Sequence, residues 1–150
     1  MSTLTQDEHY RALESMYLAA PVNEAYAPKI QVREGEAEIS IELNPTMYHS
    51  AGAVHGSIYF HLLDSAAFFA ANSLEQEVFV LTSSFTTYLT RPITKGTLKA
   101  TGRVVNQTKN QWLVEAVATN EGKEVARGSG VFVRGKLLLR EARGYLRERG

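Results

Sequence analysis

A carboxylate, three imidazoles and two glycines share the stretch HSAGAVHGSIYFHLLDSAAFFAAN, residues 49–72, whose other members are mostly apolar or small. Asp64, set among apolar neighbours, is either a proton acceptor whose ionisation its surroundings resist or a structural group paired with something close, His61 one turn earlier or a backbone donor. Gly56 precedes a run with no helix breaker. A glycine there leaves the first backbone N–H groups of a helix unobstructed, and those donors, at the positive end of the helix dipole, hold an oxygen that turns anionic. His49, His55, His61 and Asp64 are all metal-ligand types, but histidines six residues apart do not fall on one helical face as a four-residue spacing would place them. No metal is expected. A serine nucleophile has no support either, since no GxSxG elbow occurs.

The elements that must position these groups are legible in the pattern around them. Thr5 with Glu8 makes a capping box, and Leu13, Met16, Tyr17 and Ala20 form one stripe of a short helix that Pro21 ends. Between Pro28 and residue 36 the chain carries no element in this reading. EAEISIEL, residues 36–43, alternates without a fault and predicts a half-buried strand. A loop with Pro, Ser and Gly then leads to a helix over 57–73, apolar nearly all the way round and therefore wrapped by other structure. Strands follow over 78–90, 97–108, 111–120 and 123–134, joined by RPITKG, KN and NEG. Four consecutive strands with short connections predict an antiparallel sheet, of five strands or more with residues 36–43, carrying one buried helix on its face. The fold class is α+β, a single domain over 1–150 with a charged C-terminal tail from 136 that reads as a strand end or a frayed helix.

Composition sets limits on function. The chain of 150 residues has no Cys, which removes disulfides, thiolate nucleophiles and Cys-based zinc sites and suits a reducing compartment, with the cytoplasm as the expected location. Sixteen basic and sixteen acidic residues give no net charge to attract nucleic acid or an anionic membrane surface. No segment has the run of about eighteen uncharged apolar residues that a membrane span requires. A soluble, unprocessed protein is expected.

VHGSIYFHLLDSAA resembles the loop and central helix of hotdog-fold thioesterases of the phenylacetate-degradation type. Their pattern is an Asn, six residues on a His-Gly-Gly, then an Asp nine residues after that His; His55, Gly56 and Asp64 match it. LTSSFTTYLTRPITKGTLKATGRVV is similar to the family's strand that ends in Pro, with a Gly before the next strand, so the resemblance spans roughly residues 30–134. It implies the hotdog fold, a sheet of five to six strands wrapped around a central helix. It also implies that Asp64 is the catalytic carboxylate, as general base or nucleophile, and that the Gly56 N–H is the donor to the thioester oxygen. His55 would shape the loop, and Thr82, ten residues before Pro92, would help to hold the attacking water. Two positions depart from the pattern. His49 stands where the family has Asn, which keeps a hydrogen-bond donor and adds a titratable ring; Ser57 replaces the second glycine and can bond locally at the helix start.

The implied activity is hydrolysis of an acyl-CoA thioester, with CoA entering as part of the substrate and no separate cofactor; the alternative is a non-catalytic acyl-CoA sensor with the same pocket. Besides His55, Ser57 and Ser83, the aromatic residues Tyr59, Phe60, Phe68, Phe69, Phe85 and Tyr88 are candidates for the acyl pocket. Arg91 and Arg127 are candidates for the nucleotide end of CoA. On an ideal helix the eight residues from Gly56 to Asp64 span about 12 Å, too far for both groups to serve one carbonyl carbon. The implied roles therefore require two chains, and a homodimer, which the family can pair again into a tetramer, is expected.

Overall fold

The two first helices are fixed by their ends and the sheet by its alternation. A computed structural model describes residues 3–146. Helix α1 (Gln6–Ala19) starts at the Thr5–Glu8 capping box, with both reciprocal hydrogen bonds at 3.1 Å, and buries Leu13, Met16 and Tyr17. A 3-10 turn, Pro21–Tyr26, follows because the proline cannot continue the helix. Strands β1 (Lys29–Arg33) and β2 (Glu36–Glu42) form a hairpin, in which β2 buries Ala37, Ile39 and Ile41 as its alternation predicts. The long helix α2 (Gly56–Asn72) comes next, then β3 (Val78–Leu89), β4 (Thr97–Gln107), β5 (Gln111–Asn120) and β6 (Lys123–Leu138).

All six strands make one antiparallel sheet in the order β1-β2-β4-β5-β6-β3, with α2 lying across it. Leu62 and Leu63 of α2 have no exposed surface, and burial of a leucine side chain contributes about 1.5–3 kcal/mol. The helix presses so closely on β4 that a side chain at Gly102 would come within 2.5 Å of the Ala66 carbonyl oxygen; only glycine leaves room there.

Three expectations change. β1 is an additional strand, short and with Val32 alone fully buried, so its two-residue alternation is too brief to read. The last four strands are not a simple meander: β3 pairs with β6, and the 91–96 connection crosses over to bring β4 beside β2. In the sheet β5 and β6 lie between β3 and β4, so this short connection does not join neighbours. β6 also runs on to Leu138, and the tail then turns through Leu139–Glu141; residues 147–150 lie outside the described part.

The two edges of the sheet differ. At β1, the outward backbone groups of Val32 are both taken by α1: its N–H donates to Glu14 Oε2 (2.8 Å) and its carbonyl accepts from Arg11 Nη2 (2.8 Å). That edge is closed. At β3, the other edge, the Asn72 side chain takes the Val78 carbonyl (3.2 Å) and the Val80 N–H (3.0 Å), and from Leu81 to Leu89 no element among the described residues pairs with the outer side.

His9 fastens α1 to the rest of the chain. Its Nε2 must donate to the Asn72 carbonyl (2.9 Å), which leaves Nδ1 to accept from the Tyr145 hydroxyl (2.7 Å), and the ring is fully buried. Burial lowers its pKa from 6.5, against a smaller upward pull from the Asn72 carbonyl, and burial lowers that of His61 as well. The unfolded chain thus binds more protons than the folded one in the window below 6.5. Stability measured by urea unfolding should fall as pH drops through that window, and His9→Gln should flatten the fall while leaving the share due to His61.

Candidate active site

The start of α2 is built by two histidines and a tight turn. Tyr48 and Val54 form a bridge across residues 49–53, with Gly52 at a φ of 84° that a side-chain-bearing residue rarely adopts. Within the turn His49 Nδ1 accepts from the Ala51 N–H (3.0 Å), and the His49 and His55 rings lie 6.5 Å apart, edge to face. His55 is the N-cap: its Nδ1 accepts from both the N–H (3.1 Å) and the hydroxyl (2.8 Å) of Ser57. Ser57 is therefore tied into the cap. The Gly56 N–H has no acceptor among the described residues, and a Cβ at Gly56 would stand 2.8 Å from Leu89 Cδ1. A bare N–H at the positive end of a seventeen-residue helix suits a developing oxyanion.

Asp64 is the centre of a second cluster, two turns along α2. Its partner is Thr82 on β3, whose hydroxyl donates to Asp64 Oδ1 at 3.0 Å, leaving Oδ2 free to accept a proton. Burial raises the Asp64 pKa above 3.8, and the Thr82 hydrogen bond offsets this in part. The group is shaped for proton acceptance rather than for ion pairing. His61, the partner considered from spacing, is engaged elsewhere: Nε2 bonds Asn23 Oδ1 (3.0 Å), and the ring stacks on Tyr26 at 4.7 Å. The correction follows from the N-terminal segment, which folds over this face of α2 and supplies His61 with a closer partner.

Ser83 is the unpaired residue of a β-bulge between Thr82 and Ser84, exposed beside the Asp64–Thr82 contact. A bulge re-aims side chains at a sheet edge, and here it breaks the register just after Thr82. Phe60 and Phe85 meet edge to face at 5.7 Å between α2 and β3. Phe68 packs against Phe69 and Phe79, each ring pair 4.9 Å apart, on the far side of Asp64. Tyr59 does not join them. It is buried on another face of α2, where its hydroxyl donates to the Arg91 carbonyl (2.8 Å) and holds the crossover in place. Tyr88 is exposed on β3; Arg127 is paired with Glu124 on the surface, while Arg91 is exposed on the crossover near the start of α2. Among the described residues no three His, Asp or Glu side chains converge as a ligand set.

A cavity of about 200 Å³ adjoins Asp64, walled by Phe68, Phe69 and Phe79 on one side and by Met16, Tyr17, Val22 and Asn23 on the other. The second wall comes from α1 and the 3-10 turn. Sequence patterning assigns those residues only to packing, because the stripe that makes α1 amphipathic does not say which residues of α2 it will cover.

A central helix wrapped by a six-stranded antiparallel sheet, with a carboxylate on the helix, is the hotdog architecture. It is shared by the PaaI protein of the Escherichia coli phenylacetic acid degradation operon, at 26% identity over 89% of this chain and 97% of that one, with a TM-score of 0.80. A variant of the phenylacetic acid degradation protein PaaI from Thermus thermophilus is 27% identical, covering 77% of this chain and 100% of that one, with a TM-score of 0.71. A thioesterase family protein from Silicibacter pomeroyi, 22% identical over 87% of this chain and 98% of that one, shares the fold with a TM-score of 0.77. A comparison with curated proteins gives no match. The thioesterase superfamily matches residues 51–126, from the turn before α2 into β6, and the chain belongs to that superfamily.

Proposed function

We propose that the protein is an acyl-CoA thioesterase acting as a homodimer, with each site shared between two copies. The observation that supports this most is the Asp64–Thr82 pair beside an apolar cavity: a carboxylate with a raised pKa, no cationic partner and one free oxygen. A water held near Thr82 gives its proton to Asp64 Oδ2 as its oxygen attacks the thioester carbon. The carbonyl oxygen becomes anionic and is met by a Gly56 N–H. Collapse of the tetrahedral intermediate breaks the C–S bond, the CoA thiolate leaves, and the proton on Asp64 returns to it. In this reading the acyl group lies toward Phe68 and Phe79, and Arg91, exposed on the crossover near the start of α2, is the candidate for the nucleotide end of CoA.

The Gly56 donor comes from a second copy, because the distance along α2 is about 12 Å. Two surfaces favour that second copy. From Leu81 to Leu89 the β3 edge is unpaired among the described residues, whereas α1 takes both outward groups of Val32 on β1, and the face of α2 beside β3 carries Ser57, Phe60, His61, Asp64 and Phe68, none of them fully buried. Phe60 at 42%, Leu89 at 51% and Tyr88 at 60% exposure make that region apolar. Covering it would bury those side chains and bring a second α2 to the first. No helix among the described residues is long and apolar enough to cross a membrane. The absence of Cys fits a reducing cytoplasm.

Thiol release from acetyl-, medium-chain, long-chain and arylacyl-CoA tests the activity. Hydrolysis of at least one of them is expected; tight binding of one with release from none would replace the enzyme by an acyl-CoA sensor.

A further inference from the structure

The N-terminal segment reaches His61, one turn before Asp64 on α2, and decides what that ring is able to do. Asn23, on the 3-10 turn, is buried, and its Nδ2 donates to the Tyr17 carbonyl at 2.8 Å. A carbonyl only accepts, so the amide has one orientation, with Oδ1 turned to His61 Nε2 at 3.0 Å. Nε2 therefore carries the proton of the neutral ring. Tyr26, on the same turn, stacks on that ring at 4.7 Å with 20° between the planes, which fixes where it lies.

Free of those contacts, the ring would have Asp64 beside it. The two residues are three apart on α2, a separation that sets Cβ atoms about 5–6 Å from one another, and both line the same cavity. Held as it is, the ring has nothing to give the carboxylate: its proton is spent on Asn23, and Nδ1 bears a lone pair that repels a carboxylate oxygen. Burial lowers the His61 pKa and keeps the ring neutral. The titratable side chains gathered around it are Tyr17 from α1, Tyr26 from the 3-10 turn and Asp64 from α2, while β3 brings Phe79 and Thr82, which do not titrate. A proton donated by His61 would work against hydrolysis. It would favour the charged form of Asp64, weaken it as a base and occupy the oxygen that Thr82 leaves free.

Resting on the reading of Asp64 as the base, we propose that Asn23 and Tyr26 are positioning residues, which hold His61 in the tautomer and orientation that cannot pair with Asp64. Both precede residue 51, where the superfamily match begins, so the N-terminal segment supplies this control.

A double-mutant cycle tests it. Asn23→Ala should lower kcat/KM at pH 7 by about 10- to 100-fold and move the acid limb of the pH profile to lower pH, because the freed ring pairs with Asp64. In a His61→Phe background, which keeps a ring for Tyr26 and has no proton to give, the same substitution should change kcat/KM by less than about threefold and leave the limb in place. A purely structural Asn23 would cost turnover equally in both backgrounds, since each loses the bond to the Tyr17 carbonyl. Nitrogen-15 spectra of His61 read the hold without turnover. Wild type should show a ring protonated at Nε2 that titrates below 6.5, and Asn23→Ala should carry the titration above 6.5. The wild-type spectrum decides even if Asn23→Ala does not fold. Equal losses in the two backgrounds, wild-type turnover in Asn23→Ala, or a wild-type His61 that is protonated at Nδ1 or titrates above 6.5 would each overturn the proposal. If the spectra shift as expected but wild type releases thiol from no acyl-CoA, the hold on His61 stands and the thioesterase reading falls.

Discussion

Asp64→Asn should lower turnover by about 10² to 10⁴-fold and, at neutral pH, leave the protein at least as stable as wild type. The first part follows from proton acceptance: the amide keeps the shape and the hydrogen bond from Thr82 but cannot take a proton from water. The second part follows from the direction of the pKa shift. Burial raises the Asp64 pKa above 3.8, so the folded chain binds more protons than the unfolded chain in the window just above 3.8, and stability falls as pH rises through it. Above the window the ionised carboxylate opposes folding, and Asn removes that opposition. A structural carboxylate would behave in the reverse way, since loss of a stabilising pair lowers the melting temperature and spares turnover. Steady-state thiol release and thermal melts at pH 7 on the same preparation separate the two. An early melt with wild-type turnover would return Asp64 to a purely structural role.

The shared site yields the second large effect, a recovery of activity from two inactive proteins. Gly56→Pro removes the proposed N–H donor at a position that accepts proline: the residue lies at the first position of α2, and His55 before it already has the extended backbone, φ −64° and ψ 141°, that a following proline requires. No internal hydrogen bond of the Gly56 N–H is lost among the described residues, and the side chain it would meet is the flexible end of Leu89. Gly56→Pro and Asp64→Asn should each be nearly inactive alone. Unfolded together and refolded in equal amounts, they should form about half mixed dimers, each with one site damaged twice and one site intact, so that about a quarter of wild-type activity returns. A site within a single chain has no such route. Mixed dimers confirmed by mass but without recovered turnover would refute the shared site.

Much of the fold is legible because its signals are local. The capping box at Thr5 and Glu8, the alternation over residues 36–43 and the breaker-free apolar run of α2 each record the conformation of a few neighbouring residues, and the observed elements follow them closely, with α2 shifted by a single residue. The pairing of β3 with β6 is not written that way. It joins Phe85 to Gly130 and Thr82 to Phe132, and its reason is spatial: Gly128 and Gly130 leave the space that the Phe85 ring fills.

The candidate site divides along the same line. His55, Gly56 and Asp64 stand within one short segment, so their spacing alone marks a helix start and a carboxylate two turns later, and helix rise alone separates them by about 12 Å. Tertiary structure decided what Asp64 meets. Thr82, eighteen residues on, takes the place that His61 was expected to hold, and His61 turns to Asn23, thirty-eight residues back. Tyr17 reaches the cavity only because His9, Arg11 and Glu14 dock α1 onto the end of α2 and the edge of β1. An amphipathic stripe records that one face of α1 will be buried, but which residues it is buried against depends on docking contacts between distant segments, and no local period carries that information.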